Sequence, residues 1–155
     1  ARPDKEVVVM VGDGSYLMMN SEIATSVAMG AKLAIVLLDN RGFGCINRLQ
    51  RGTGGAPFNN LLADAAAAVD FAAHAASLGA EAVAVGGVAG LEAALPRAFR
   101  AKRTTVLVVQ TDPQASTQEG GAWWDVPVTA APRDDAQKRA RAEYETNRAR
   151  QRLGA

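Results

Sequence analysis

One cysteine in 155 residues excludes an internal disulfide framework and any zinc site built from several thiolates. Eight aromatic residues and a net charge of +1 leave out the basic excess and interleaved rings of a nucleic-acid binder. Long apolar runs are missing as well. The longest, Leu33 to Leu38, has the length of a strand and not of a membrane span. No signal-peptide pattern opens the chain. No membrane partner, no nucleic-acid partner and a cytoplasmic location are therefore expected.

What is present falls in the ordinary globular range, with 48% hydrophobic and 21% charged residues. Of the hydrophobic residues 32 are Ala, which favours helices but contributes little buried area. The core must come from short runs of Val and Leu. Four such runs stand out: Val7 to Val11, Leu33 to Leu38, Ala82 to Val85 and Val106 to Val109. Their unbroken apolar character predicts strands buried on both faces, as in a parallel sheet. Helices are expected between them, over Ser15 to Met29, Asp70 to Leu78 and Gly90 to Ala101, with Gly30 and Gly79 as stops. Pro96 is expected to restrict or shift the start of the last one. The fold class is α/β, an open, mostly parallel sheet flanked by helices.

Two segments break the alternation. Residues 41 to 60 are rich in Gly, Asn and Arg and read as a long loop, functional or mobile. After an extended Val126-Pro127-Val128, a charged stretch from about Asp134 to Leu153 reads as a helix. From Arg133 the tail carries seven of 17 basic and four of 16 acidic residues, so it is about +3 and the body about −2. A solvated helix accounts for it; a subunit-packing arm is the sharper alternative. The expected division is a body at 1–132 and a charged helical tail at 133–155.

The chemistry lies at the ends of the first two runs, where open α/β sheets bind ligands. Gly12-Asp13-Gly14-Ser15 turns out of the first strand into a helix, whose N-terminus suits an anion such as a diphosphate. Asp13 would repel that anion unless a cation lay between them, and Mg²⁺ takes carboxylate and phosphate oxygens together. The second strand ends in Asp39-Asn40-Arg41-Gly42. With the strands side by side, the Asn40 amide oxygen and the Gly42 carbonyl become further candidate ligands. Each tripeptide alone is most often a turn. A dinucleotide site is the nearest competitor, but no Gly-x-Gly-x-x-Gly follows the first strand.

Gly12-Asp13-Gly14, 24 residues, then Asp39-Asn40 resembles the signature of the thiamine-diphosphate-dependent enzymes. The resemblance implies thiamine diphosphate and Mg²⁺ as cofactors. Asp13 and Asn40 would ligate the metal through side chains and Gly42 through its carbonyl, with Gly12, Gly14 and Ser15 around the diphosphate. The family often has Asn where this chain has Asp39. Further likeness, from Ser15 to Glu22, Asn40 to Ile46, Trp123 to Val128 and around Tyr144 to Arg148, points to a branch that hydrolyses a ring C–C bond. Its substrate is a small-molecule cyclic diketone of inositol catabolism, opened to 5-deoxy-glucuronic acid. An acetolactate-synthase-like decarboxylase or ligase, and a non-catalytic nucleotide-binding module, are the alternatives.

The resemblance also implies a glutamate that activates the cofactor, and no residue here matches it; Glu22 is assigned a surface or structural role. No catalytic residue is expected in this chain, which begins Ala1-Arg2-Pro3 without Met and resembles the last quarter of such an enzyme. The segment alone is expected to be inactive, and the whole enzyme a homodimer or homotetramer. Cys45 is expected to be small and partly buried, His74 to take a packing or surface role, Arg48 and Arg51 to be solvated, and Trp123 and Trp124 to pack on the sheet and on a neighbour.

Overall fold

A computed structural model describes residues 5–62, 68–115 and 125–151. The chain divides into two compact units, residues 1–42 with 62–113 and residues 43–61 with 114–155.

The first unit is a four-stranded, wholly parallel sheet: β1 (Val8–Gly12), β2 (Ala34–Asp39), β3 (Glu81–Val85) and β4 (Thr105–Gln110). Their order is β1-β2-β4-β3. All four expected strands form. The expectation of burial on both faces holds for β2 and β4 alone, because they are central. At the edges, β1 and β3 keep residues in solvent; Val8 is 50% and Met10 67% exposed.

Side-chain alternation sorts the sheet into two faces. On one, Ile35, Leu37, Val106 and Val108 pack with Tyr16, Ile23, Phe71 and Ala75 from α1 (Asp13–Met19), α2 (Glu22–Ala28) and α4 (Phe71–Ser77). On the other, Ala34 and Leu107 pack with Ala98, Leu91 and Leu95 of α5 (Gly87–Arg100). Asp70 caps α4 by accepting from the Ala73 N–H.

Three helical expectations need correction. The single helix at 15–29 is two. It starts at Asp13, and its carbonyl ladder shortens at Asn20 and Ser21, where the Ile23 and Ala24 amides bond three residues back. The Asn20 side chain donates to the Leu17 carbonyl, the local competition that ends an α-helical run. Pro96 neither limits nor shifts α5, which starts at Gly87 and runs through it. Within 41–60, where a loop was expected, α3 (Gly44–Gly52) forms.

The second unit holds α3 and α6 (Asp135–Arg150), the expected tail helix. Asp134 caps α6 through the Gln137 N–H. Gly54 has φ +84, and a Cβ there would meet the Ala136 and Gln137 backbone at 2.8–2.9 Å, so only glycine fits. Tyr144 is buried, with the Arg141 and Arg148 guanidinium groups 5.2 Å and 6.0 Å from its ring centre, and Arg141 also donates to the Val128 carbonyl. A hydrogen bond with Asp125, with burial, raises the Tyr144 pKa above its usual value. Cys45 is exposed rather than partly buried. Trp123, Trp124 and Leu153 lie outside the described residues.

Candidate functional site

Parallel pairing of β1 and β2 sets Gly12 beside Leu38, so both strands end at the same level. Asp13, the first residue of α1, is 1% exposed. Its Oδ1 accepts from the Gly14 N–H at 2.9 Å and its Oδ2 from the Gly42 N–H at 2.6 Å. The turn after β2 is tight. Arg41 has φ 61, uncommon for a residue with a side chain, and Gly42 has φ 134, open only to glycine. That turn brings both the Gly42 N–H and the Gly42 carbonyl back to the end of β1.

The Asn40 amide closes the group. One of its terminal atoms lies 2.6 Å from the Gly42 carbonyl oxygen and 3.0 Å from Asp13 Oδ1. With nitrogen there, Asn40 donates to both oxygens. With oxygen there, a carboxylate, an amide and a carbonyl oxygen converge, an arrangement that a cation stabilises. The donor set is hard oxygen throughout, which fits Mg²⁺ better than a soft metal.

Burial is the main reason that the Asp13 carboxyl sits above the ordinary carboxylate pKa. The two backbone N–H bonds pull it down, and the neighbouring Asp39 carboxyl pushes it up again. Asp39 is itself buried, accepts from the Arg41 N–H at 3.0 Å, and lies 3.7 Å from Arg41 Nε. Asp39 stands where the family often has Asn, and its part in the electrostatics of Asp13 was not expected. The signal was the charge itself, a second carboxylate one residue before Asn40.

Of the expected site residues, Asp13, Gly14, Asn40 and Gly42 are thus joined by hydrogen bonds, and Gly12 caps α1 from the strand side. Ser15 is exposed in the first turn of α1. Glu22 is exposed on α2, in keeping with a surface role. His74 packs as expected: its Nδ1 is 2.8 Å from the Tyr16 hydroxyl, whose pKa burial raises. Among the described residues no three His, Cys, Asp or Glu side chains form a metal cluster, so the candidate site draws on amide and backbone oxygens. A cavity of about 450 Å³ in the second unit, lined by Cys45, Arg48, Val128 and Tyr144 among others, includes none of these residues.

A parallel α/β domain with an oxygen cluster across two adjacent strand ends defines a class that binds phosphorylated cofactors at its carboxyl edge. The chain belongs to the thiamine pyrophosphate enzymes: residues 1–109 match the C-terminal TPP binding domain of that family. It is 39% identical over 138 residues to 3D-(3,5/4)-trihydroxycyclohexane-1,2-dione hydrolase 2 of Bacillus cereus (strain ZK / E33L), covering 83% of this chain and 21% of the relative. A second hydrolase of that name, from Bacillus cereus (strain AH820), is 36% identical over 156 residues, 94% of this chain and 24% of the relative. The chain therefore spans about a fifth to a quarter of the length of the curated relatives it matches. Among solved structures, benzoylformate decarboxylase from Polynucleobacter necessarius superposes with a TM-score of 0.66 at 23% identity, over 72% of this chain and 20% of that one. That likeness supports the fold. No helix among the described residues is long and apolar enough to cross a membrane.

Proposed function

We propose that Asp13, Asn40 and the Gly42 carbonyl hold a Mg²⁺ ion that carries the diphosphate of thiamine diphosphate. The whole protein is then a hydrolase that opens a ring C–C bond of 3D-trihydroxycyclohexane-1,2-dione in myo-inositol catabolism, giving 5-deoxy-glucuronate. The observation that carries the site is the Asn40 side-chain amide, which reaches the Gly42 carbonyl oxygen at 2.6 Å and Asp13 Oδ1 at 3.0 Å at the end of β1. The relatives' names carry the substrate.

Each residue has a distinct task. Buried Asp13 is costly to ionise alone, and a divalent cation makes its charged form the favourable one. Arg41 and Gly42, at positive φ, hold the turn that aims the Gly42 carbonyl at Asp13 and Asn40. Gly12 and Gly14 would let the backbone lie close to the diphosphate, and Ser15 would offer it a hydroxyl. When bound, thiamine diphosphate supplies the electron sink for C–C cleavage. The activating glutamate and the grip on the aminopyrimidine come from elsewhere in the protein. The 155-residue chain alone is accordingly inactive, and the working enzyme is a cytoplasmic homodimer or homotetramer. Residues 1–132 then supply the diphosphate-binding domain and 133–155 the charged tail.

Turnover tests this. The full-length enzyme should hydrolyse the cyclic dione and leave pyruvate untouched, and the 155-residue chain should do neither. Pyruvate turnover would support the acetolactate-synthase-like alternative. Activity of the 155-residue chain alone would contradict the division of labour.

A further inference from the structure

The two faces of the sheet are covered unequally. On the Tyr16 face three helices, α1, α2 and α4, pack over the strands. On the other face α5 lies over Ala34 of β2 and Leu107 of β4. Edge strand β3 is left partly open on that side. Its Glu81 and Val83 pair with Thr105 and Leu107 of β4 and so share their face. Thr105 and Leu107 are 6% and 2% exposed, whereas Val83 is 47% exposed. A trough of about 370 Å³ lies there, lined by Val83 and Leu107 of the sheet and by Ala94, Arg97, Ala98 and Arg100 of α5 among others. The alanines are too small to fill it. Its volume is that of a small-metabolite pocket.

The charge beside the trough is one-sided. From Arg97 to Arg103 the chain carries four basic residues and no acidic one. Arg103 is engaged, 3.6 Å from Glu81 and donating to the Gly79 carbonyl at 3.4 Å. Lys32 donates to the Phe99 carbonyl at 2.8 Å and so meets the carbonyl end of α5. Arg97 and Arg100 are exposed, and among the described residues no carboxylate pairs with either guanidinium. Solvated arginines are common in a last helical turn. An apolar trough between such arginines and an open strand is not part of that pattern. Guanidinium groups match phosphate and carboxylate oxygens through paired N–H bonds.

We propose that this trough binds a small organic anion. Arg97 and Arg100 hold its oxyanion head, a phosphate or a carboxylate, and its apolar body lies against Val83 and Leu107. Glu81 and Thr105 open β3 and β4, so the trough is at the amino end of the sheet. Asp13 and Asn40 lie past the carboxyl ends of β1 and β2. The two sites are at opposite ends of one sheet, and this one stands whether or not the cofactor assignment does.

Calorimetric titration of the full-length enzyme tests it, with thiamine diphosphate and Mg²⁺ present throughout to occupy the candidate cofactor site. Phenyl phosphate and benzoate probe the two heads; inorganic phosphate and acetate are the same heads without the apolar body. One aryl probe should bind at millimolar concentration or below, and more tightly than its bare head. Arg97→Gln and Arg100→Gln should each weaken it about tenfold. Val83→Asp, which sets a negative charge in the trough, should weaken it as well. All three side chains are exposed, so the melting temperature should hold. A preference for phenyl phosphate assigns phosphate monoesters and a preference for benzoate assigns carboxylates; either supports the proposal. Equal affinity in wild type and all three variants would overturn it, as would no binding of either aryl probe. So would a bare head binding as tightly as its aryl form, or a hexaglutamate peptide binding more tightly than both, which would give the trough to an acidic protein segment.

Discussion

Leu37 and Asp13 are equally hidden from water, at 0% and 1% exposure, and are put to opposite uses. Leu37 sits in the middle of β2 within the buried apolar cluster, and its burial stabilises the sheet. Asp13 sits one residue past the end of β1 among oxygens, and burial drives its carboxyl toward the neutral form. The centre of the sheet is built for stability. Its carboxyl end keeps a desolvated acid and a turn with two positive-φ residues. Strain and buried charge of that kind persist where a ligand uses them.

Substitutions should separate the two regions. Leu37→Ala should cost the most, about 2–5 kcal/mol, because it leaves a cavity where no neighbour can relax. Urea unfolding should show the loss, and cofactor affinity per folded molecule should stay close to wild type. Gly42→Ala comes next. Forcing a Cβ into φ 134 should cost about 1–3 kcal/mol, and this time affinity for thiamine diphosphate should fall with stability. Tyr16→Phe removes the hydroxyl that meets His74 and should cost about 1 kcal/mol by thermal unfolding, with binding untouched.

The smallest effect is a slope against pH. A carboxyl whose folded pKa is raised binds its proton more tightly in the folded protein. Its contribution to stability is therefore complete below the unfolded value of 3.8 and is lost as pH rises through the folded value. Without metal, the stability of wild type relative to Asp13→Asn should decline as pH rises above 3.8. Saturating Mg²⁺ should reverse that decline near neutrality. A flat difference would mean that Asp13 does not carry the raised pKa.

Much of the sheet was legible because its signal is local. Apolar runs of strand length leave few alternatives, and all four strands fall within a residue or so of those runs. Their exposure was not legible, since edge or centre is decided by strand order, which no run encodes. The order β1-β2-β4-β3 leaves Met10 in water. Helix α3 escaped notice because glycines and arginines hid its spacing of Cys45, Ile46 and Leu49. The break at Asn20 depends on one side chain turning back to a carbonyl. At the candidate site, spacing was enough to bring Asp13, Asn40 and Gly42 together, because parallel strands of similar length end side by side. The share of Asp39 was missed, since its effect on Asp13 is electrostatic and needs a distance.

Calorimetric titration with thiamine diphosphate, with and without Mg²⁺, tests the central claim most directly when run on wild type and Asp13→Ala in the full-length enzyme. Wild type should bind only when Mg²⁺ is present, and Asp13→Ala should lose that metal-dependent binding while remaining folded by circular dichroism. Equal affinity of the two proteins in Mg²⁺, or wild-type binding that ignores the metal, would contradict it.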